Sequence, residues 1–264
     1  RTSLQADERI IAALMYGSFA IGESDLFSGI ELALFVRDDA LAAFDQRAWL
    51  DAVSPVAAYF QDDFGQHIAL FANTVRGEFQ FLAQSDLSIV VSWQEHGWLP
   101  SLEAGILLDR TGELAYHATA LVGGPPARGG AVLVQGLVLN FLNLMLLGGN
   151  LLHRGEYARA WALLGRAQEP LIKLVRLHEQ RTDHWSTPSR ALEQDLSNFS
   201  RVRYQGCTAS AEPDALCAAY RVSWQWGREL FTMVAGPLGV EIPSGLVDHV
   251  QRLLDTAGGR SANW

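Results

Sequence analysis

Residues 16–36 read YGSFAIGESDLFSGIELALFV, and the two ends of this stretch decide the reading of the N-terminal half. Ile10–Tyr16 (IIAALMY) runs into it and Ile30–Val36 (IELALFV) closes it. Both are short apolar runs bounded by Gly and Ser, the pattern of buried strands. A Gly17-Ser18 turn and the polar loop 22–25 (GESD) separate them. Side chains alternate faces along a strand, so positions 29 and 31 project to one side of the sheet. Position 31 is glutamate and position 29 is glycine.

Working outward, Asp38 is placed to cap a helix running to about residue 53, with Leu41, Phe44, Ala48 and Trp49 on one apolar face and Pro55 as its stop. Strand-like runs follow at 56–60, His67–Phe71 and 76–82, and with the first two strands they predict a mixed sheet. Residues 105–114 (GILLDRTGEL), with a turn at Arg110-Thr111-Gly112, read as a strand and hairpin at its edge. Residues 123–130 (GGPPARGG) are the clearest punctuation in the chain. Beyond them the apolar period changes from two to about 3.6, with helical patterns at 131–153, 156–182, 212–234 and 243–256. The expected fold is therefore α+β, with a mixed-sheet domain over 1–122 and a helical bundle over 123–264.

With 264 residues and 49% hydrophobic content, the chain can bury such cores without disulfides. Its two cysteines, Cys207 and Cys217, have no C-x-x-C or Cys/His ligand spacing, so neither a disulfide framework nor structural zinc is expected. A reducing cytoplasm is the expected compartment. The most apolar run, 136–152, is short for a membrane span and carries Asn140, Asn143 and Asn150, which predicts a buried helix and no membrane partner. The formal charge is −9 and Lys173 is the only lysine, which argues against nucleic acid and favours a small cationic ligand.

Two carboxylates at 29 and 31 would hold divalent metal against the phosphates of a nucleotide, neutralising charge that develops during in-line displacement. Glycine at 17 lets the backbone approach a triphosphate, and the Ser18 hydroxyl and nearby N–H groups donate to it. A third acid could come from a neighbouring strand, where RGEFQF places Glu78 among aromatics. Apolar surroundings raise a glutamate's pKa and suit it to general-base work, whereas the plainer reading pairs Glu78 with Arg76 at a sheet edge. The sequence has no G-x-S-x-G elbow, no H-E-x-x-H and no Walker A lysine. His178, His184 and His249 read as surface or capping residues.

The segments MYGSFAIGESDLFSGIELALF, VRGEFQF and HRGEYARAWALL, with SPVAAYF, LLDRTGEL and ALVGGPP between them, closely resemble the lincosamide nucleotidyltransferases of the larger two-domain type. The resemblance implies an N-terminal nucleotidyltransferase domain of the polymerase-beta type, a C-terminal helical domain, and commonly a homodimer. It implies transfer of the AMP of ATP, with Mg2+, to a hydroxyl of a lincosamide antibiotic. By motif, Gly17 and Ser18 would hold the triphosphate, Glu31 would ligate metal, and Glu78 would be catalytic base and metal contact.

The family pattern Ser-Asp-Ile-Glu is Ser28-Gly29-Ile30-Glu31 in this chain, so the departure falls on a metal ligand. Ala72 and Gln80 stand where the resemblance implies an acid and a histidine. Impaired turnover follows as an expectation, and Asp25, four residues upstream, is a candidate to replace the ligand if its loop bends inward. A nucleotide- or antibiotic-binding homologue without catalysis, an aminoglycoside acceptor and a purely structural dimer module are the alternatives. In the helical half, Asn140, Asn143 and Asn150 are expected to be buried amides seeking partners, and Arg154, Glu156 and Tyr157 to form a cap, an interdomain salt bridge or a substrate contact.

Overall fold

The structure is a computed structural model that describes residues 2–258. The chain divides between Pro126 and Ala127 into two compact units. The junction lies in the predicted glycine-proline punctuation, where Gly123, Gly124 and Gly129 all take positive φ.

The N-terminal unit is built on six strands, β1 (Ile10–Tyr16), β2 (Ile30–Val36), β3 (Val56–Gln61), β4 (His67–Phe71), β5 (Arg76–Ala83) and β6 (Ile106–Asp109), in the order β3-β4-β5-β2-β1-β6. The sheet is mixed: β2 and β5 run parallel and every other pair antiparallel. Its short helices are α1 (Thr2–Ala6), α2 (Asp38–Leu41), α3 (Gln46–Val53), α4 (Leu102–Gly105) and α5 (Glu113–Ala118). Alternation along β2 sends Leu34 and Val36 to one face, packed with Phe44, Leu50 and Phe79. It sends Ala33 and Phe35 to the other, packed with Leu14, Leu87 and Leu99.

The N-terminal unit departs from the sequence expectation in its first helix and at its sheet edge. The single helix over 38–53 is two pieces, because Asp38 accepts from the Ser85 amide instead of capping, while Asp45 accepts from the Ala48 amide and starts α3 afresh. The edge hairpin is only half present. β6 pairs with β1, but the Asp109 carboxylate then accepts from the amides of Gly112 and Ala115, with Gly112 at φ +80, and the chain turns into α5 rather than a return strand. A 3₁₀ segment at Gln84–Glu95, to which the sequence reading assigned nothing, supplies Leu87 and Val90 to the second face.

The C-terminal unit is helical: α6 (Ala131–His153), α7 (Tyr157–Glu179), α8 (Leu192–Asp195), α9 (Asn198–Gly206), α10 (Pro213–Leu230) and α11 (Ser244–Thr256). α10 continues through a π-helical turn at Phe231–Ala235. α6 is long and apolar enough to cross a membrane by length and composition alone. Here Val134, Val138, Phe141, Leu142 and Met145 on it are buried in the unit's core. The amides depart from expectation: Asn140 and Asn143 lie on the exposed face of α6 and Asn150 is half-buried. α9 escaped the sequence reading because its apolar residues Phe199 and Val202 are exposed and give no core-facing stripe.

Candidate functional site

The parallel register of β2 and β5 places Glu31 beside Glu78, and the antiparallel register of β1 and β2 places Tyr16 on the other side of Glu31. The three side chains therefore share one face of the sheet at one end of the strands. Gln80, two residues on from Glu78, donates from Nε2 to the Tyr16 hydroxyl at 3.5 Å, and the Tyr16 ring tilts against Trp93 at 6.3 Å.

Gly17 opens a 3₁₀ turn, Gly17–Phe19, with φ at +68. The Glu31 carboxylate is seated against it: a Cβ on Gly17 would fall 2.5 Å from Glu31 Oε2 and 2.7 Å from Cδ. The glycine is thus required twice, by its backbone and by the carboxylate it accommodates. Ser18 is buried in the turn, its carbonyl accepting from the Glu23 amide at 2.9 Å.

Gly29 stands immediately before β2, alongside the start of β5. Its φ is not in the left-handed region, and a Cβ there would lie 3.0 Å from the Arg76 carbonyl oxygen. An L side chain is therefore admissible if that carbonyl yields by a few tenths of an ångström.

Glu78 does not sit among the aromatics that flank it in sequence. Phe79 and Phe81 point to the opposite face, where they pack near Phe44 and Phe71, because neighbours in a strand alternate. The Glu78 carboxylate instead accepts from the Arg76 guanidinium, the plainer of the two sequence readings. Asp25 is held in its own loop, where Oδ1 accepts from the Phe27 amide and the Ser28 hydroxyl, both at 2.9 Å. Those bonds, the Phe27 amide foremost, hold its carboxyl below the usual range, and the residue is exposed. It does not turn inward to replace a ligand at 29. Ala72 is exposed in the β4–β5 turn.

Sequence reasoning missed Tyr16. Burial, and then the charge on Glu78, push its hydroxyl up to about 12, so it is a neutral donor throughout the physiological range. The signal that would have found it is strand register, which pairs residue 16 with residue 31 once the two strands are joined by a loop.

Among the described residues no three His, Cys, Asp or Glu side chains gather as a metal cluster. Glu31 and Glu78, side by side on neighbouring strands, suit a single divalent cation and fall short of a two-metal set. In the helical unit, His178 and His249 are exposed, while His184 Nδ1 lies 2.6 Å from Asp195 Oδ2 in a network about Arg176. Glu156 pairs with Arg154 and Arg159 within its own helix start. A cleft of about 450 Å³ lies between Arg228, Glu229, Phe231, Ile242, Val247 and Asp248.

Residues 130–253 match the family model described as lincosamide nucleotidyltransferase-like, C-terminal domain. That match runs from the start of the helical unit into α11. Among solved structures the chain is similar to an aminoglycoside 6-adenyltransferase from Bacillus subtilis, at 13% identity and a TM-score of 0.44, over 95% of this chain and 94% of the other. It is also similar to a nucleotidyltransferase-like protein from Exiguobacterium sibiricum, at 15% identity and a TM-score of 0.42, over 100% of this chain and 79% of the other. No curated protein matches the chain.

Proposed function

We propose that the chain is a nucleotidyltransferase that moves the AMP of ATP onto a hydroxyl of a lincosamide-class antibiotic and releases pyrophosphate. One observation carries this reading: Glu31 stands in register between Tyr16 and Glu78 with its carboxylate seated on Gly17. The lincosamide nucleotidyltransferase-like helical half supports the acceptor class.

In this reading Glu31 and Glu78 hold one Mg2+, which when bound neutralises phosphate charge. The Gly17-Ser18 turn approaches the triphosphate through its backbone. The acceptor hydroxyl oxygen bonds to the α-phosphorus as the bond to pyrophosphate breaks, and its proton passes to the Glu78 carboxylate. Tyr16, neutral and tethered to Gln80, donates a hydrogen bond beside the two acids. A lincosamide has one amine and an alkyl tail; an aminoglycoside, with several ammonium groups, wants a denser set of acids. The low basic content and single lysine favour small-molecule partners over nucleic acid, and we read the protein as a cytoplasmic homodimer that does not act at a membrane.

A second reading, nucleotide binding without turnover, is favoured by Gly29 and by the Arg76 ion pair on Glu78. Mass spectrometry of lincomycin incubated with ATP, Mg2+ and the protein separates the two. Adenylylated lincomycin that disappears with Glu31→Gln and with Glu78→Gln supports transfer. ATP binding with no product supports the second reading.

A further inference from the structure

The N-terminal unit is poor in cations, and one of them stands at the Glu31 end of its sheet. Its described arginines are Arg9, Arg37, Arg47, Arg76 and Arg110, and the chain's lysine lies in the other unit. Arg9 and Arg37 flank Ile10 and Val36, which pair with each other at the far end of β1 and β2, and they close on Asp7 and Asp39. Arg110 follows β6 at that same far end and donates to the carbonyls of Ile10 and Gln5. Arg47 rides on α3, which covers the opposite face. Arg76 alone begins β5 beside Gly29 and turns its guanidinium to the face of Glu31 and Glu78.

The Arg76 side chain is 48% exposed, and one terminal nitrogen is on Glu78. Its Nε and second terminal nitrogen meet no acceptor among the described residues. A planar fork with two donors open matches the spacing of phosphate oxygens. A polyphosphate brought to Glu31 and Glu78 meets two negative charges, and among the described arginines of this unit only Arg76 stands there to offset them.

We propose that Arg76 is a polyphosphate ligand: its open nitrogens grip the β- and γ-phosphates of the nucleotide while its remaining terminal nitrogen holds Glu78. It thereby supplies charge neutralisation that position 29 does not. This rests on the nucleotidyltransferase reading.

The test is equilibrium binding of ATP and of AMP to the full chain by calorimetry, in Mg2+ and in EDTA. The wild type is expected to prefer ATP over AMP by about 10-fold or more, and to keep that preference in EDTA. Arg76→Met is expected to lose about 10- to 100-fold in ATP affinity, with AMP affinity changed by less than about 3-fold. Arg76→Lys keeps a charge for Glu78, and so the local fold, and is expected to recover only part of the preference because a lysine is a point charge without the fork. Wild-type preference retained in both variants overturns the role of Arg76 and leaves the nucleotide reading standing. A wild type that binds neither nucleotide overturns both.

Discussion

The Glu31 carboxylate lies where a side chain on Gly17 would begin. The turn after β1 and the acid at the second residue of β2 are thus one steric unit. Gly17→Ala must place an L side chain at φ +68 and displace Glu31. We expect a loss of about 1–3 kcal/mol in stability, read by urea unfolding, and loss of nucleotide binding. A fully stable Gly17→Ala that binds ATP normally would show that the carboxylate has another seat.

Tyr16 sets an alkaline limit. Its hydroxyl is pushed up to about 12 in the folded chain, by burial first and by Glu78 next, against about 10 when unfolded. A raised folded pKa contributes stability that is complete below about pH 10 and is lost as pH rises through about 12. Tyr16→Phe should flatten that limb by up to about 2 kcal/mol. Tyr59 is pushed up to about 12 as well, so Tyr59→Phe is the comparison to run beside it. The readout is urea unfolding at pH 9 to 11.5 together with tyrosinate absorbance. An unchanged limb in Tyr16→Phe would contradict the assignment.

In the helical unit, fully buried Arg176 ties the 181–195 segment to α7. It donates to the carbonyls of Pro188 at 2.7 Å, Arg190 at 2.6 Å and Arg181 at 3.0 Å, and to Asp195 Oδ2 at 2.8 Å. Arg176→Met leaves those acceptors unmet and should cost about 3–5 kcal/mol in chemical unfolding. Burial works to raise the Asp195 pKa, but the bonds from Arg176 and His184 outweigh it and hold the carboxyl below its usual value. Its contribution is therefore present above about pH 4 and lost as pH falls through the lowered value. Asp195→Asn should remove that acid limb.

Glycines also set how closely the helices pack. A Cβ on Gly148 of α6 would run into the Tyr220 ring of α10, and one on Gly227 of α10 into the Phe141 ring of α6. Tyr220 is fixed, its hydroxyl donating to the Ala160 carbonyl at 2.8 Å. Gly148→Ala should destabilise by about 1–3 kcal/mol through overpacking, measured by the shift in thermal midpoint.

Much of this was legible in the sequence. The strands Ile10–Tyr16, Ile30–Val36 and His67–Phe71 and the helix Ala131–His153 begin and end where period and punctuation put them. In the N-terminal unit, the broken helix over 38–53 and the missing return strand were decided by side-chain competition for backbone amides. Asp45 and Asp109 each capture an amide and redirect the chain, and neither event leaves a periodic signature. The site was half legible. The motif gave Gly17, Glu31 and Glu78, but not Tyr16, whose part depends on register, nor the face on which Glu78 projects. Proximity in sequence set Glu78 among phenylalanines that strand alternation carries away from it.

Under the proposed function, Gly29 leaves a nucleotidyltransferase short of one metal-binding acid. The direct measurement is the rate of lincomycin adenylylation by the wild type and by Gly29→Asp, followed by mass spectrometry at matched protein and Mg2+. A Cβ at 29 stands 3.0 Å from the Arg76 carbonyl, so the variant should lose about 1 kcal/mol of stability while its turnover rises by about 10-fold or more. Equal rates for a folded Gly29→Asp and the wild type would contradict the claim, because position 29 would then carry no part of the metal chemistry.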